Sequence, residues 1–275
     1  KINSVAISSD NTFIISGSSD KTIRIWDVVS GECIKILEGH TGRVSSVALS
    51  KNDQFIVSGS WDKTVRLWDR VTGECIKIFC GHSYFVSSVD ISPNNKYIVS
   101  SENQHHHKSP DKTARIWDVE TGECRQVLDI GRDVKSVCFS NDNQFVLSGD
   151  SYFFKLWDVE TGHCTTEIKG RAGSSVKVAL SSNGKYIVTC NLSTVKLLDI
   201  ETHEIIKKFE GHTSYVESLA ISANDQWIVS GAGHVDDFVR LWNVATGKQT
   251  RLKNGGAACQ DIDSVVISAD NKYIV

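Results

Sequence analysis

The chain has 275 residues, 33 acidic against 30 basic side chains for a formal charge of −3, and 40% hydrophobic residues. That length suits two average domains or one large all-β domain, and the near-balanced charge gives no bulk attraction for nucleic acid, whose binders cluster Lys and Arg. No apolar run approaches the roughly 20 residues that cross a bilayer as a helix, so neither a membrane nor a nucleic acid is an expected partner.

The chain opens at Lys1, without a methionine, directly in a strand-like run, which reads as a piece of a longer protein. From there one pattern repeats. A run of apolar-x-x-apolar-x-apolar-Ser ends at Ser8, Ser50, Ser92, Ser140, Ser181, Ser222 and Ser268, at spacings of 42, 42, 48, 41, 41 and 46 residues. A second marker keeps step with it: Trp26-Asp27, Trp68-Asp69, Trp117-Asp118, Trp157-Asp158, the relic Leu198-Asp199, and Trp242-Asn243. Two independent markers with a shared period of 40 to 50 residues identify repeated supersecondary units. Within residues 39–81, four short runs rich in Val, Ile and Phe (44–50, 55–60, 64–69 and 74–79) are parted by Asn52-Asp53, Asp62-Lys63 and Thr72-Gly73, residues that turn the backbone cheaply.

Four antiparallel strands per period, with Gly-His at 39–40, 81–82 and 211–212 and the run Ser-Gly-Ser-Trp-Asp-Lys-Thr-Val-Arg-Leu-Trp-Asp at 58–69, resemble the WD40 family along the whole chain. The resemblance implies an all-β propeller, one domain over 1–275, with seven blades of which the seventh is incomplete. The blades are expected at about 1–38, 39–80, 81–130, 131–169, 170–210 and 211–256, with a partial blade at 257–275.

His40, Ser58, Asp62 and Trp68 together could pass for a Ser-His-Asp catalytic set. The resemblance implies instead a buried hydrogen-bond tetrad running from the Trp indole through Ser and His to Asp. The same four roles recur at His82, Ser100, Asp111 and Trp117 and at His212, Ser230, Asp236 and Trp242. Repetition in several blades favours architecture, since an enzyme needs one site, and no strained Gly-x-Ser-x-Gly elbow accompanies these serines. Blade one keeps Ser16, Asp20 and Trp26. Blades four and five depart, with Arg132 and Arg171 where His is expected, and blade five has Leu198 for Trp and no turn Asp. Blade five is therefore expected to open first.

Eight cysteines are present, but Cys33, Cys75, Cys124 and Cys164 each follow a Trp by seven residues, one repeat position copied into separate blades. All eight read as reduced thiols, consistent with an intracellular, cytoplasmic location more than a nuclear one. His105-His106-His107 sits in a turn lengthened by seven residues relative to blade two; consecutive ring positions in a loop rarely fix a tetrahedral metal site, and neither a metal nor a cofactor is expected.

Blades cover one another, leaving the ring faces, channel mouth and outer edges to act. In the family, ligands often meet the face made by the loops before each first strand and the turns between second and third strands. The former positions are Lys1, Arg43, Phe85, Asp133, Ser174, Tyr215 and Asp261; the latter are Ser19, Trp61, Pro110 and Val235. Arg43, Trp61, Tyr84 and Phe85, joined by Tyr215 across the ring, form the candidate partner site, with Asp133 and Asp261 placed to accept a basic side chain. An extended peptide fits this chemistry best. The expected function is a non-catalytic scaffold or peptide-recognition module, a propeller within a larger signalling or regulatory complex. The alternatives are a structural subunit of a large assembly and an enzyme with its site at the channel mouth.

Overall fold

In the computed structural model, residues 1–102, 112–132, 134–150, 152–169, 177–233, 236, 238–253 and 262–275 are described. They build six four-stranded antiparallel sheets, each with its strands in chain order, over residues 2–37, 44–80, 86–129, 134–169, 178–209 and 216–253. Blade two shows the plan: Val44–Leu49, Phe55–Ser60, Thr64–Asp69 and Cys75–Cys80, with Val47 opposite Ser58, Val57 opposite Leu67 and Trp68 opposite Cys75. The first strands lie side by side around the ring axis, and the fourth strands form the outer edges.

Local chemistry explains why both sequence markers recur. Ser50 ends the first strand; its hydroxyl accepts the backbone N–H of Phe55 at 2.8 Å while its own N–H donates to the Phe55 carbonyl at 3.0 Å, clamping the turn into strand two. Asp69 of the Trp-Asp pair accepts the N–H of Thr72 at 2.7 Å, closing the turn into strand four, where Gly73 adopts a φ of +81° that most side chains resist.

The core lies between blades rather than within them. Val57, Val65, Leu67 and Phe79 of blade two pack against Val86, Val89, Ile91, Ile98 and Trp117 of blade three. Gly59 permits that approach, since a Cβ there would stand 2.5 Å from the Val86 side chain. Polar groups couple the same faces: the hydroxyls of Ser4, Ser46, Ser88, Ser218 and Ser264 accept the N–H groups of Val47, Val89, Val137, Val265 and Val5 at 2.8–3.2 Å. Asp90 does the same between blades three and four, accepting the Phe139 N–H at 2.8 Å; burial pushes its carboxyl up to about 6.

The expected ring of seven blades with an incomplete seventh is corrected by this architecture, which has six. Among the described residues, 262–275 contain no strand, only the isolated bridge Ile267 to Ile274. Backbone bonds between Val266 and Val275 at 2.9 and 3.0 Å, and from the Ser268 N–H to the Tyr273 carbonyl at 2.9 Å, fold this segment back on itself as a short hairpin. The hairpin lies between blades six and one: Ile262 and Val265 pack on Val229, Val265 donates to Ser218, Ser264 receives the Val5 N–H, and Asp263 meets Lys1 at 3.1 Å.

The candidate partner-binding face and the buried tetrads

The blade-two tetrad is continuous. The Trp68 indole N–H donates to Ser58 Oγ at 2.8 Å, Ser58 pairs with His40 Nε2 at 2.8 Å, and His40 Nδ1 meets Asp62 at 2.7 Å. Burial alone would raise the Asp62 carboxyl, but hydrogen bonds from His40, Thr64 and the Thr41 N–H outweigh it and hold the acid well below the usual carboxylate range. An ionised Asp62 requires the proton on Nδ1, so a neutral His40 accepts at Nε2 from the Ser58 hydroxyl. That oxygen is already engaged by the indole, and Ser58 is wholly buried, so it is no nucleophile poised for substrate.

Blade six repeats the chain at 2.8, 2.7 and 2.6 Å through Trp242, Ser230, His212 and Asp236. Burial pushes the His212 imidazole down, against the opposing pull of Asp236. Here the sequence reading missed Arg240, fully enclosed, whose guanidinium reaches Asp236 at 3.1 Å and Gln249 at 2.7 Å. The signal was present: Arg stands two residues before the Trp in four blades, at Arg24, Arg66, Arg115 and Arg240, and each of the first three lies over its indole at 5.8–6.0 Å.

In blade three, Trp117 donates to Ser100 at 2.7 Å and His82 Nε2 meets Ser100 at 2.6 Å, while Asp111 lies outside the described residues. An acid not singled out from the sequence stands at this site: Glu102, 2% exposed, places a carboxylate oxygen 3.4 Å from His82 Nδ1 and accepts the Tyr84 N–H at 3.2 Å. Blades one and four keep the indole-to-serine bond, Trp26 to Ser16 at 2.8 Å and Trp157 to Ser148 at 2.9 Å. The expected placing of Arg132 at the histidine position is corrected: Ile130, four residues before Val134 as His40 is before Val44, fills it and is buried beside Trp157, while Arg132 lies over the Tyr152 ring, 4.5 Å away.

On the face above blades two and three, the structure joins four of the candidate partner residues. The Arg43 guanidinium lies 4.7 Å over the Trp61 ring, Trp61 stacks on Phe85 at 4.6 Å and 8°, and Phe85 touches Tyr84 at 4.7 Å and 51°. Arg43 is exposed; the three rings are half-buried, so Trp61 is less free than its sequence context suggested. The loops meet because Gly42 runs against the Trp61–Asp62 turn, where a Cβ would sit 2.6 Å from the Asp62 nitrogen, and because Trp61 donates its N–H to the Arg43 carbonyl at 2.9 Å. Tyr215, 51% exposed on blade six, makes no ring contact with this stack among the described residues. Asp133, Asp261, Ser174, Pro110, Val235, Arg171 and His105 to His107 lie outside the described residues.

No group of three or more His, Cys, Asp or Glu among the described residues is arranged to hold a metal ion, and their seven cysteines are free thiols. No helix among them is long and apolar enough to cross a membrane.

Six blades of this design, with indole-serine bonds repeated around the ring, define an all-β propeller built from one recurring unit. The family model for the WD domain, G-beta repeat, matches residues 1–27, 31–69, 73–118, 122–158 and 203–243, and the chain belongs to the WD40 family. Curated relatives resemble short stretches. The nuclear distribution protein PAC1 of Mycosarcoma maydis is 64% identical over 28 residues, 10% of this chain and 6% of that protein. Nuclear distribution protein PAC1-2 of Uncinocarpus reesii is 53% identical over 36 residues, 13% and 8% of the two chains. The F-box/WD repeat-containing protein 7 of Drosophila melanogaster is 52% identical over 31 residues, 11% and 2%. The matched stretches thus span under a tenth of each relative's length.

Proposed function

We propose that this chain is a non-catalytic interaction module whose recognition surface is the stack of Arg43, Trp61, Phe85 and Tyr84, and whose ligand is an extended peptide segment bearing a carboxylate. WD40 domains generally bind proteins or peptides, and this stack supplies a specific instrument for doing so. The observation that carries the reading is the parallel contact of Trp61 with Phe85, 4.6 Å apart and 8° from coplanar, joining loops of two blades into one half-exposed platform.

Aromatic side chains dominate interface energetics because they bury much area with few rotatable bonds, and Arg adds a planar fork of donors suited to a carboxylate. Stacking over Trp61 fixes the Arg43 guanidinium while leaving its edge N–H groups for a carboxylate. Tyr215 offers a separate, second contact across the ring. Asp133 and Asp261 remain part of this proposal as acceptors for a basic residue of the ligand. The F-box/WD repeat-containing relative suggests that the propeller serves as one part of a larger regulatory protein.

The test is selection of binding peptides from a displayed library on the whole chain, then calorimetry against Arg43→Glu. Reversing one exposed charge leaves the fold intact and should weaken acidic peptides by about tenfold or more. Selected peptides that bind Arg43→Glu as tightly as the wild type would remove this surface from consideration.

A further inference from the structure

A cavity of about 360 Å³ lies between blades four and five. Its origin follows from register. Thr189 opposite Lys196 and Ile187 opposite Leu198 repeat the pairings of Ser58 with Arg66 and Ile56 with Trp68, so Thr189 occupies the tetrad serine position and Leu198 the tryptophan position. In blades three and six that indole also packs on an aromatic ring from the outer strand of the preceding blade, Phe79 with Trp117 and Phe209 with Trp242, both at 5.7 Å, while in blades two and four it meets Leu37 and Leu128 there. The residue matching Phe79 here is Ile168. Blade five lacks the indole and has no ring on the facing outer strand either, so two aliphatic side chains meet at this spot, and Phe154, Ile168 and Leu198 line the space.

The polar lining records the same loss. In five blades the serine oxygen receives an indole N–H at 2.7–2.9 Å. In blade five the Thr189 hydroxyl, on a residue 2% exposed, has no hydrogen-bond partner. A second orphan borders the cavity: Asp150, 1% exposed, uses one carboxylate oxygen for the N–H groups of Tyr152 and Phe153 and leaves the other unpaired. Buried acceptors without donors are uncommon and costly, and a ligand that supplies a donor relieves them. Lys169, Lys208 and His203 line the exposed side, which disfavours a cationic guest.

We propose that this cavity binds a neutral, planar N–H heteroaromatic of indole size, with its ring in the vacated tryptophan slot and its N–H donated to Thr189 Oγ1. Engineered apolar cavities of roughly 150 Å³ already admit benzene, so a bicyclic ring has room here. The site is separate from the recognition face on blades two and three and stands without it.

The experiment uses the whole chain and two probes, indole and benzofuran, which share a shape and differ in that only indole carries the N–H. Saturation-transfer NMR and competition titration should show indole binding roughly tenfold tighter than benzofuran, the gain of one buried hydrogen bond. Thr189→Val keeps the side-chain shape without the hydroxyl and should erase the preference; Leu198→Trp fills the slot and should exclude both probes. Equal affinity for the two probes, absence of saturable binding, or a preference that survives Thr189→Val would overturn the proposal. Should Leu198→Trp fail to fold, the wild type and Thr189→Val decide the matter between them.

Discussion

Replacing Ser58 with Ala should cost about twice as much as replacing Ser148 with Ala, although the two serines hold the same place in their blades. Ser58 Oγ satisfies two buried groups, the Trp68 indole N–H and His40 Nε2, each at 2.8 Å, whereas Ser148 takes the Trp157 indole at 2.9 Å and otherwise makes only a long 3.5 Å contact to the Lys155 carbonyl, because the buried Ile130 stands where blade two has its histidine. Each buried group left unpaired costs about 1–3 kcal/mol, giving about 2–6 kcal/mol for Ser58→Ala and about 1–3 for Ser148→Ala. At about 2 °C per kcal/mol for a chain of this size, the melting temperature should fall by roughly 4–12 °C and 2–6 °C respectively. Thermal unfolding followed by circular dichroism reads the difference, and exchange of the Trp68 indole proton shows whether the loss is local. Equal losses, or a larger one for Ser148→Ala, would refute the reasoning that the tetrad's value lies in the number of groups it pairs.

Three other outcomes are expected. Gly42→Ala places a methyl against the backbone of the Trp61–Asp62 turn, so it should lower stability by about 1–3 kcal/mol and disturb the ring-current shifts of the Trp61–Phe85 stack; chemical denaturation and NMR check both, and an unshifted stack would contradict the packing argument. Asp90 titrates near 6 when folded and near 3.8 when exposed, so its buried charge opposes folding fully above pH 6 and is relieved as pH falls toward 3.8. The stability of Asp90→Asn relative to wild type should therefore be greatest above pH 6 and shrink on acidification, which urea midpoints measured from pH 7 to 4 will show; a difference that grows on acidification would reverse the assignment. Amide hydrogen exchange should find blade five the least protected of the six, since it lacks the indole and leaves Thr189 unpaired, and finding it best protected would refute this.

The repeat could be read from sequence because every blade solves the same local problem. Ser50 and its counterparts clamp one turn and Asp69 and its counterparts close another, so the residues recur wherever the backbone does. The tetrads were legible where His, Ser, Asp and Trp all kept register, as in blades two and six. Glu102 escaped notice because its acid sits at the end of the second strand, where blade two has Ser60, and only pairing across the blade brings it to His82. Arg43, Trp61, Tyr84 and Phe85 were visible as neighbours on a face, but the flat stack of Trp61 on Phe85 depends on how two loops 24 residues apart come together. The blade count failed for a related reason. Counting first-strand signatures registers 257–275 as a partial blade, whereas among the described residues 262–275 form a short hairpin with one bridge, Ile267 to Ile274, and no four-stranded sheet.

The serine hydroxyls that couple successive first strands give the ring an interchangeable coupling. Each of these contacts, between blades one, two, three and four and through residues 262–275 between blades six and one, joins one side-chain oxygen to one main-chain N–H of a valine. A blade duplicated, deleted or transplanted with its serine arrives already fitted to its new neighbours, so such a ring can gain or lose members without redesigning its seams. Blade five carries Lys177 where the others have this serine, four residues before Ser181, and its edges are where such an exchange would need the most repair.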